Sequence, residues 1–201
     1  MDFQNAIVLT GGIATGKSSV CSLLKLYGFQ IIDADKIAHQ MLEQNIDKIT
    51  EIFGHEYIKD AQVDRKKLGA LIFQDDKQRE KLETLLHPLI KNEIQKQSKV
   101  CENKGIPYIV DIPLFYEKSN YSIDEVVVVY CTPQQQRKRL LDREGYTLEE
   151  ANNRILAQMP IDQKCDKASF VIDNTKNLKY LQNQVDTFIR YIKQKYPQLK
   201  I

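Results

Sequence analysis

The sequence lacks the features that mark secreted, membrane-spanning and metal-cluster proteins. No apolar run approaches the ~20 residues that a membrane-spanning helix needs. The four cysteines are scattered without a C-x-x-C pair, which favours buried thiols in a reducing compartment over a metal site: Cys21, Cys101, Cys131 and Cys165. With only three histidines in 201 residues, no metal cluster is expected. The first five residues lack a basic region, so no signal peptide is expected and the predicted location is the cytoplasm.

Composition indicates a soluble protein with one folded unit. A chain of 201 residues that is 42% hydrophobic can bury one core with room for appended helices. The net charge of +2 says little about nucleic acid. Neither repeats nor low-complexity linkers are present. No nucleic-acid or membrane partner is expected, and no protein partner is implied.

Strands alternate with helices along the chain, which predicts an α/β fold with a parallel sheet covered on both faces. Five apolar segments are predicted strands: residues 6–10, 29–32, 107–112, 125–130 and 170–172. A long helical stretch, residues 36–100, is expected to break near Gly54, Asp64 and His87-Pro88. After the fourth strand comes a basic helix, and residues 147–150 form a capping box that begins another. The final helix is predicted at residues 178–196.

The strongest motif lies between the first strand and the first helix. Residues 11–18 (GGIATGKS) match the phosphate-binding pattern G-x-x-x-x-G-K-[ST]. Glycines let backbone N–H groups turn toward phosphate oxygens at a helix N-terminus that already favours anions. Lys17 then supplies charge to the β- and γ-phosphates, and the Ser18 hydroxyl can join a Mg²⁺ shell. The alternative is a glycine-rich turn with an ordinary surface lysine.

The candidate nucleotide-binding residues follow from this loop. They are Gly11, Gly12, Ile13, Ala14, Thr15, Gly16, Lys17, Ser18 and Ser19. The predicted cofactors are ATP and Mg²⁺.

Carboxylates at strand ends are the next candidates, because ligands of such sheets bind outside the carboxyl ends of the strands. Asp33 and Asp35 close the second strand, beside the phosphate loop if the first two strands are neighbours. One of these carboxylates accepts the proton of an attacking hydroxyl, or else Asp33 merely ends the strand and Asp35 caps the next helix; capping is the expected role of Asp35. Asp111 follows a hydrophobic run and resembles a carboxylate that holds Mg²⁺ through water.

A basic run, residues 134–143 (QQQRKRLLDR), follows the fourth strand. Arg139 and Arg143 are four residues apart and so share one helix face. Mobile arginines stabilise the charge that develops in phosphoryl transfer, which favours a lid over the phosphates. The alternative is a solvated basic face.

Taken together, the motifs resemble those of the dephospho-coenzyme A kinases. The resemblance covers essentially the whole chain and rests on TGGIATGKS at 10–18, IDAD at 32–35, LHPLI at 86–90, IPLFYE at 112–117, RILAQM at 154–159 and FVIDN at 170–174. Ala14-Thr15 departs from the commoner Gly-Ser, at positions where backbone matters more than side chain. Tyr116 is a second departure, at a position that varies.

The resemblance implies a P-loop kinase-type five-stranded parallel sheet that transfers the γ-phosphate of ATP to the ribose 3'-hydroxyl of dephospho-CoA. Residues 1–35, 102–132 and 166–201 would form the core, 36–101 the helical acceptor region and 133–165 the lid. Asp33 would face the 3'-hydroxyl, and Lys17, Arg139 and Arg143 would serve catalysis. Asn174 would lie near the adenine. The remaining expected substrate-binding residues are Arg65, His87, Pro88 and Leu114, and Ser18 and Asp111 are the expected metal ligands.

Two other classes share some of these motifs. A kinase for a different small molecule would have the same loop, lid and sheet, but an aspartate after the second strand argues for a hydroxyl rather than a phosphate acceptor. A GTPase would need D-x-x-G after a strand, whereas residues 142–145 (DREG) follow a basic helix, and no N-K-x-D is present. A nucleotide-binding module without catalysis is excluded only by assay.

Overall fold

The structure, a computed structural model, describes residues 3–118 and 121–197, without the side chains of residues 143 and 144. The described strands are β1 (Ala6–Gly11), β2 (Gln30–Asp33), β3 (Ile58–Lys59), β4 (Gln62–Val63), β5 (Tyr108–Asp111), β6 (Val126–Tyr130) and β7 (Phe170–Asp173). The described α-helices are α1 (Lys17–Leu26), α2 (Ala34–Gln44), α3 (Ile46–Phe53), α4 (Arg65–Gln74), α5 (Asp76–Lys104), α6 (Phe115–Lys118), α7 (Pro133–Glu144), α8 (Leu148–Leu156), α9 (Ile161–Asp166) and α10 (Leu178–Lys195).

The chain divides into two units. The first comprises Met1–Ile32 and Ser98–Ile201, and the second comprises Asp33–Gln97. The boundaries expected from the sequence, after residues 35 and 101, lie a few residues further along. No described helix has the length and hydrophobicity needed to cross a membrane.

A five-stranded parallel sheet in the order β2-β5-β1-β6-β7 forms the centre of the first unit, as predicted. β1 lies in the middle, and its Ile7 and Leu9 are fully buried. They share one apolar cluster with Leu24 of α1 and Phe188 of α10, so these helices cover one face. The loop after β1 therefore starts from the most enclosed strand of the sheet.

The sheet order corrects one expectation: β2 is not the neighbour of β1, because β5 lies between them. The burial patterns explain the order. All four residues of β5 are buried, as an interior strand requires, whereas β2 begins at the exposed Gln30.

The second unit packs its helices around a separate apolar cluster. Its members include Leu42, Ile49, Phe53, Leu68 and Leu86. An antiparallel hairpin of β3 and β4, which the sequence analysis did not predict, lies between α3 and α4.

Helix α5 runs through His87-Pro88, where a break was expected, so that prediction is wrong. Proline cannot donate the N–H that would bond the Thr84 carbonyl. Thr84 and Pro88 are exposed, however, so water can reach that carbonyl. Leu86 before the proline and Ile90 after it belong to the same apolar cluster, which keeps both turns in line.

Candidate functional site

The predicted phosphate loop joins β1 to α1 through two left-handed residues. Gly16 is the N-cap of α1 with φ +93° and ψ +22°, and Ala14 has φ +59°. Glycine adopts such angles freely, but the Cβ of alanine costs roughly 1–2 kcal/mol there. Ala14 thus carries local strain at the position where the sequence departs from the commoner glycine.

Two glycines of the loop leave no room for a side chain. A Cβ on Gly11 would lie 2.9 Å from the carbonyl oxygen of Val129, which is backbone and cannot turn away. A Cβ on Gly16 would collide with the Asn174 amide. Neighbouring strands and side chains therefore enclose the loop closely.

Side chains from distant parts of the first unit hold the carbonyls of the loop. The Arg139 guanidinium donates from Nη1 to Ala14 O at 3.2 Å and to Thr15 O at 3.1 Å. Asn174 Nδ2 donates to Thr15 O at 2.8 Å, and Gln136 Nε2 donates to Ile13 O at 2.7 Å. These donors therefore hydrogen-bond three consecutive carbonyls of the loop, those of Ile13, Ala14 and Thr15.

The start of α1 offers unpaired donors. The backbone N–H groups of Lys17 and Ser18 have no hydrogen-bond partner within the described part of the chain. Helix N-termini with free N–H groups attract anions. The loop is thus built as an anion site at its helical end.

Lys17 and Asp111 form an ion pair, so two of the predicted site residues meet. Asp111 ends β5, is only 6% exposed and stands opposite Leu9 of β1 in the ladder. Its second carboxylate oxygen accepts a hydrogen bond from the Cys21 thiol at 3.3 Å. This enclosed carboxylate balances the lysine charge.

The side-chain atoms that could coordinate a divalent cation at this site are oxygens. Ser18 is exposed at the start of α1, and the Asp111 carboxylate stands at the end of the adjacent strand. Among the described residues, no group of three or more His, Cys, Asp or Glu side chains gathers to hold a metal. One hydroxyl and one carboxylate are suited to Mg²⁺, which keeps waters and phosphate oxygens as most of its ligands.

The basic helix α7 begins with a capping box between Thr132 and Gln135. Arg137 donates to Asn152 of α8 at 2.8 Å, and Arg139 contacts the loop and Asn174 O at 2.9 Å. The side chain of Arg143 lies outside the part of the chain that the structure describes. The roles of Arg139 and Arg143 at the phosphates stay predictions.

Asn174 is buried immediately after β7. Its backbone N–H donates to Tyr130 O at 2.7 Å, while its side chain bonds the phosphate loop. The predicted place of Asn174 near the adenine remains a prediction.

Asp33 is the N-cap of α2, where its carboxylate accepts the Lys36 N–H at 2.9 Å. The expectation that Asp35 caps this helix is wrong, because α2 begins at Ala34 and places Asp35 in its first turn. Asp33 is partly exposed. One carboxylate is thus fixed by its own helix while keeping access to solvent.

A cleft of about 710 Å³ lies in the second unit, beside the β3–β4 hairpin. Arg65, one of the expected substrate-binding residues, lines it at the first position of α4. The other lining residues are His39, Lys59, Asp60, Gln62, Val63, Asp64 and Lys66. Within the described residues, Lys59, Arg65 and Lys66 form no ion pair, so the cleft can attract an anion.

The other residues that were expected to bind the acceptor substrate lie in different surroundings. His87 and Pro88 are exposed on α5 and do not line this cleft. Leu114 is half-buried in the segment after β5 of the first unit. Their substrate roles stay predictions.

Gln136 and Gln158 were not predicted as site residues, although both contact the phosphate loop. Gln158 Oε1 accepts the Ile13 N–H at 2.8 Å. Its only sequence signal is its place in the segment RILAQM, since a glutamine alone does not indicate a contact 145 positions away.

Comparisons with known proteins find matches that cover almost the whole chain. The family model described as dephospho-CoA kinase matches residues 5–180. The dephospho-CoA kinase of Sulfurimonas denitrificans is 46% identical over 200 residues, which is 100% of each chain. That of Wolinella succinogenes is 42% identical and covers 95% of this chain and 96% of its own. The solved structure of a dephospho-CoA kinase from Campylobacter jejuni has a TM-score of 0.74 at 32% identity, over 95% of this chain and 98% of that one.

Proposed function

Because the chain belongs to the dephospho-CoA kinase family, we propose that it transfers the γ-phosphate of ATP to the ribose 3'-hydroxyl of dephospho-CoA, which yields coenzyme A. The phosphate loop supports the donor half of this proposal, because side chains hydrogen-bond its carbonyls and the N–H groups at the start of α1 have no partner within the described residues. The relatives support the acceptor half. The reaction is proposed to occur in the cytoplasm without a macromolecular partner.

On the donor side, the backbone N–H groups of Lys17 and Ser18 bind the phosphates, and the Lys17 side chain exchanges Asp111 for the β- and γ-phosphates. Ser18 and Asp111 are the residues that would hold Mg²⁺, which supplies charge neutralisation on the phosphates when bound. Asp111 also keeps Lys17 in place before the nucleotide arrives.

On the acceptor side, Asp33 orients the 3'-hydroxyl and accepts its proton late in the step. Its hydrogen bond with the Lys36 N–H fixes one oxygen and leaves the other available. Arg139 and Arg143 stabilise the migrating group, with Arg139 anchored on the loop carbonyls.

We assign the anionic part of dephospho-CoA to the cleft of the second unit. Its unpaired cations suit a pyrophosphate, which arginine binds in a bidentate manner. Arg65→Ala should raise the KM for dephospho-CoA about tenfold, the usual worth of one charge-assisted hydrogen bond, and leave the KM for ATP unchanged. The matched control is Arg79→Ala, since the ion pair that Arg79 makes among the described residues is with Asp76, its neighbour on α5. An equal KM for dephospho-CoA in the two variants would show that Arg65 does not bind this substrate.

The function is tested by ATP turnover against a panel of acceptors, with the phosphorylated position of each product assigned by NMR. Dephospho-CoA should be phosphorylated at the 3'-hydroxyl, with poor use of AMP and UMP. Lys17→Ala, prepared identically, controls for contaminating kinases and should lose most of the turnover. Comparable or better turnover of a nucleoside monophosphate would contradict the proposed function.

A further inference from the structure

Lys164 of α9 is fully buried, which is rare for a lysine. Its Nζ donates to the carbonyl of Gly11 at 3.1 Å and lies 3.5 Å from that of Pro113. The same atom pairs with Glu117 Oε1 at 2.8 Å. The end of β1 and residues 113–117 after β5 therefore converge on one ammonium group.

Glu117 completes the arrangement. Its Oε1 also accepts the Met159 N–H at 2.9 Å, whereas its Oε2 is buried without a hydrogen-bond partner among the described residues. A buried ion pair of this kind adds little net stability, because desolvation offsets most of the attraction. An apolar pair of similar volume would stabilise the fold at least as well, so a different role accounts better for these charges.

The two carbonyls held by Lys164 flank the residues that meet the nucleotide. Gly11 is the last residue of β1 and the first of the phosphate loop, and Pro113 follows two residues after Asp111. The Thr10 hydroxyl also donates to Pro113 O at 2.9 Å, which links the two segments a second time. A shift at either carbonyl would move the backbone that carries Lys17 or Asp111.

We propose that Lys164 is a positioning residue for the nucleoside triphosphate site. It holds the start of the phosphate loop and the segment after β5 in the register in which Lys17 and Asp111 serve the phosphates. Glu117 supplies the carboxylate that pairs with the buried ammonium. This inference rests only on the donor half of the proposed function.

The test separates positioning from stability with three variants. Lys164→Met/Glu117→Gln removes the charge pair together, so no buried carboxylate is left unpaired. This variant should stay folded, with a Kd and a KM for ATP about tenfold higher, the worth of one charge-assisted hydrogen bond. The KM for dephospho-CoA should change less than twofold. Glu117→Gln alone should lower the melting temperature but keep the Kd for ATP, because Lys164 still reaches both carbonyls.

The third variant is a matched control. Lys195→Met/Glu125→Gln removes the ion pair between α10 and the buried Glu125, which lies in the same unit and whose hydrogen bonds among the described residues go to Lys195, Tyr191 and Val8 rather than to the loop. It should leave the Kd for ATP unchanged. ATP binding is measured by calorimetry without acceptor, so a wrong acceptor assignment leaves the result intact. Wild-type ATP affinity in the folded Lys164→Met/Glu117→Gln protein, or equal loss of affinity in the control, would overturn the inference.

Discussion

At the scale of single residues, Asp33 combines a structural and a proposed chemical task. It caps α2 through the Lys36 N–H and is the proposed acceptor of the hydroxyl proton. Asparagine caps helices as well as aspartate, so Asp33→Asn should preserve the fold. Because an amide cannot accept a proton at this step, kcat should fall roughly 10²-fold or more, with little change in ATP affinity. Steady-state kinetics and calorimetric ATP titration measure the two effects.

The neighbouring carboxylate provides the control for Asp33. Asp35 is exposed in the first turn of α2 and does not cap the helix. Asp35→Asn should therefore retain near-normal turnover. Normal turnover of Asp33→Asn with loss in Asp35→Asn would assign the proton acceptor to Asp35 instead.

The residues of the phosphate loop can be predicted from the sequence, because they form a short motif with fixed spacing. The residues that hold the loop are not readable in this way. Arg139 and Asn174 bond carbonyls that are 124 and 159 positions away in the chain, a relation that no local pattern expresses. Asp33 shows a second limit of prediction from sequence: the capping residue depends on where the helix starts, and α2 starts two residues earlier than expected.

At the scale of elements, α5 shows how tertiary packing overrides a local signal. Proline in a helix interior costs about 3 kcal/mol in isolation, which is why a break was predicted. Buried leucines on the same helix outweigh that cost. The β3–β4 hairpin was missed for a related reason: its turn places Asp60 and Ala61 at φ +51° and +58°, and Ala61 gives no turn signal in the sequence.

Pro88→Ala should stabilise the second unit, because alanine restores the N–H that bonds the Thr84 carbonyl and has a high helix propensity. The expected gain in the free energy of unfolding is about 1–3 kcal/mol, measured by urea denaturation. Pro88 is also an expected substrate-binding residue. A raised KM for dephospho-CoA in a stabilised protein would support that role, whereas lower stability would show that Pro88 relieves a strain in α5.

At the scale of the whole molecule, the sheet was predictable because strands and helices alternate in the chain. The order of the strands was not predictable, because β5 lies between β1 and β2 through pairing between segments that are far apart in the chain. Composition predicted a single folded unit, and only the resemblance set residues 36–101 apart; the helical stretch between the second and third predicted strands is long enough for an apolar cluster of its own.

Burial of phenols and thiols sets the alkaline limit of stability. Burial raises the pKa of Tyr121 to about 12, and burial followed by the acidic neighbours Asp162 and Asp166 raises that of the Cys165 thiol to about 11. The folded protein thus keeps these groups neutral at a pH where the unfolded chain ionises them. The contribution of these neutral groups to the free energy of unfolding is fully present below their pKa values in the unfolded chain, near 8.5 for Cys and 10 for Tyr. It is lost as the pH rises through their pKa values in the folded protein. The melting temperature should therefore be level from pH 7 to about 8.5 and fall steadily above it.

The contribution of a single buried phenol can be measured at Tyr116. Burial, and to a smaller extent the nearby Cys165, raises its pKa to about 12, and its hydroxyl is buried without a hydrogen-bond partner among the described residues. Tyr116→Phe removes that unsatisfied hydroxyl, so at pH 8 the melting temperature should be equal to wild type or up to about 3 °C higher. Above pH 10 the difference should widen, because the unfolded variant no longer gains a phenolate. Scanning calorimetry between pH 8 and 11 measures both effects, and parallel curves for the two proteins would show that Tyr116 titrates alike in the folded and unfolded states.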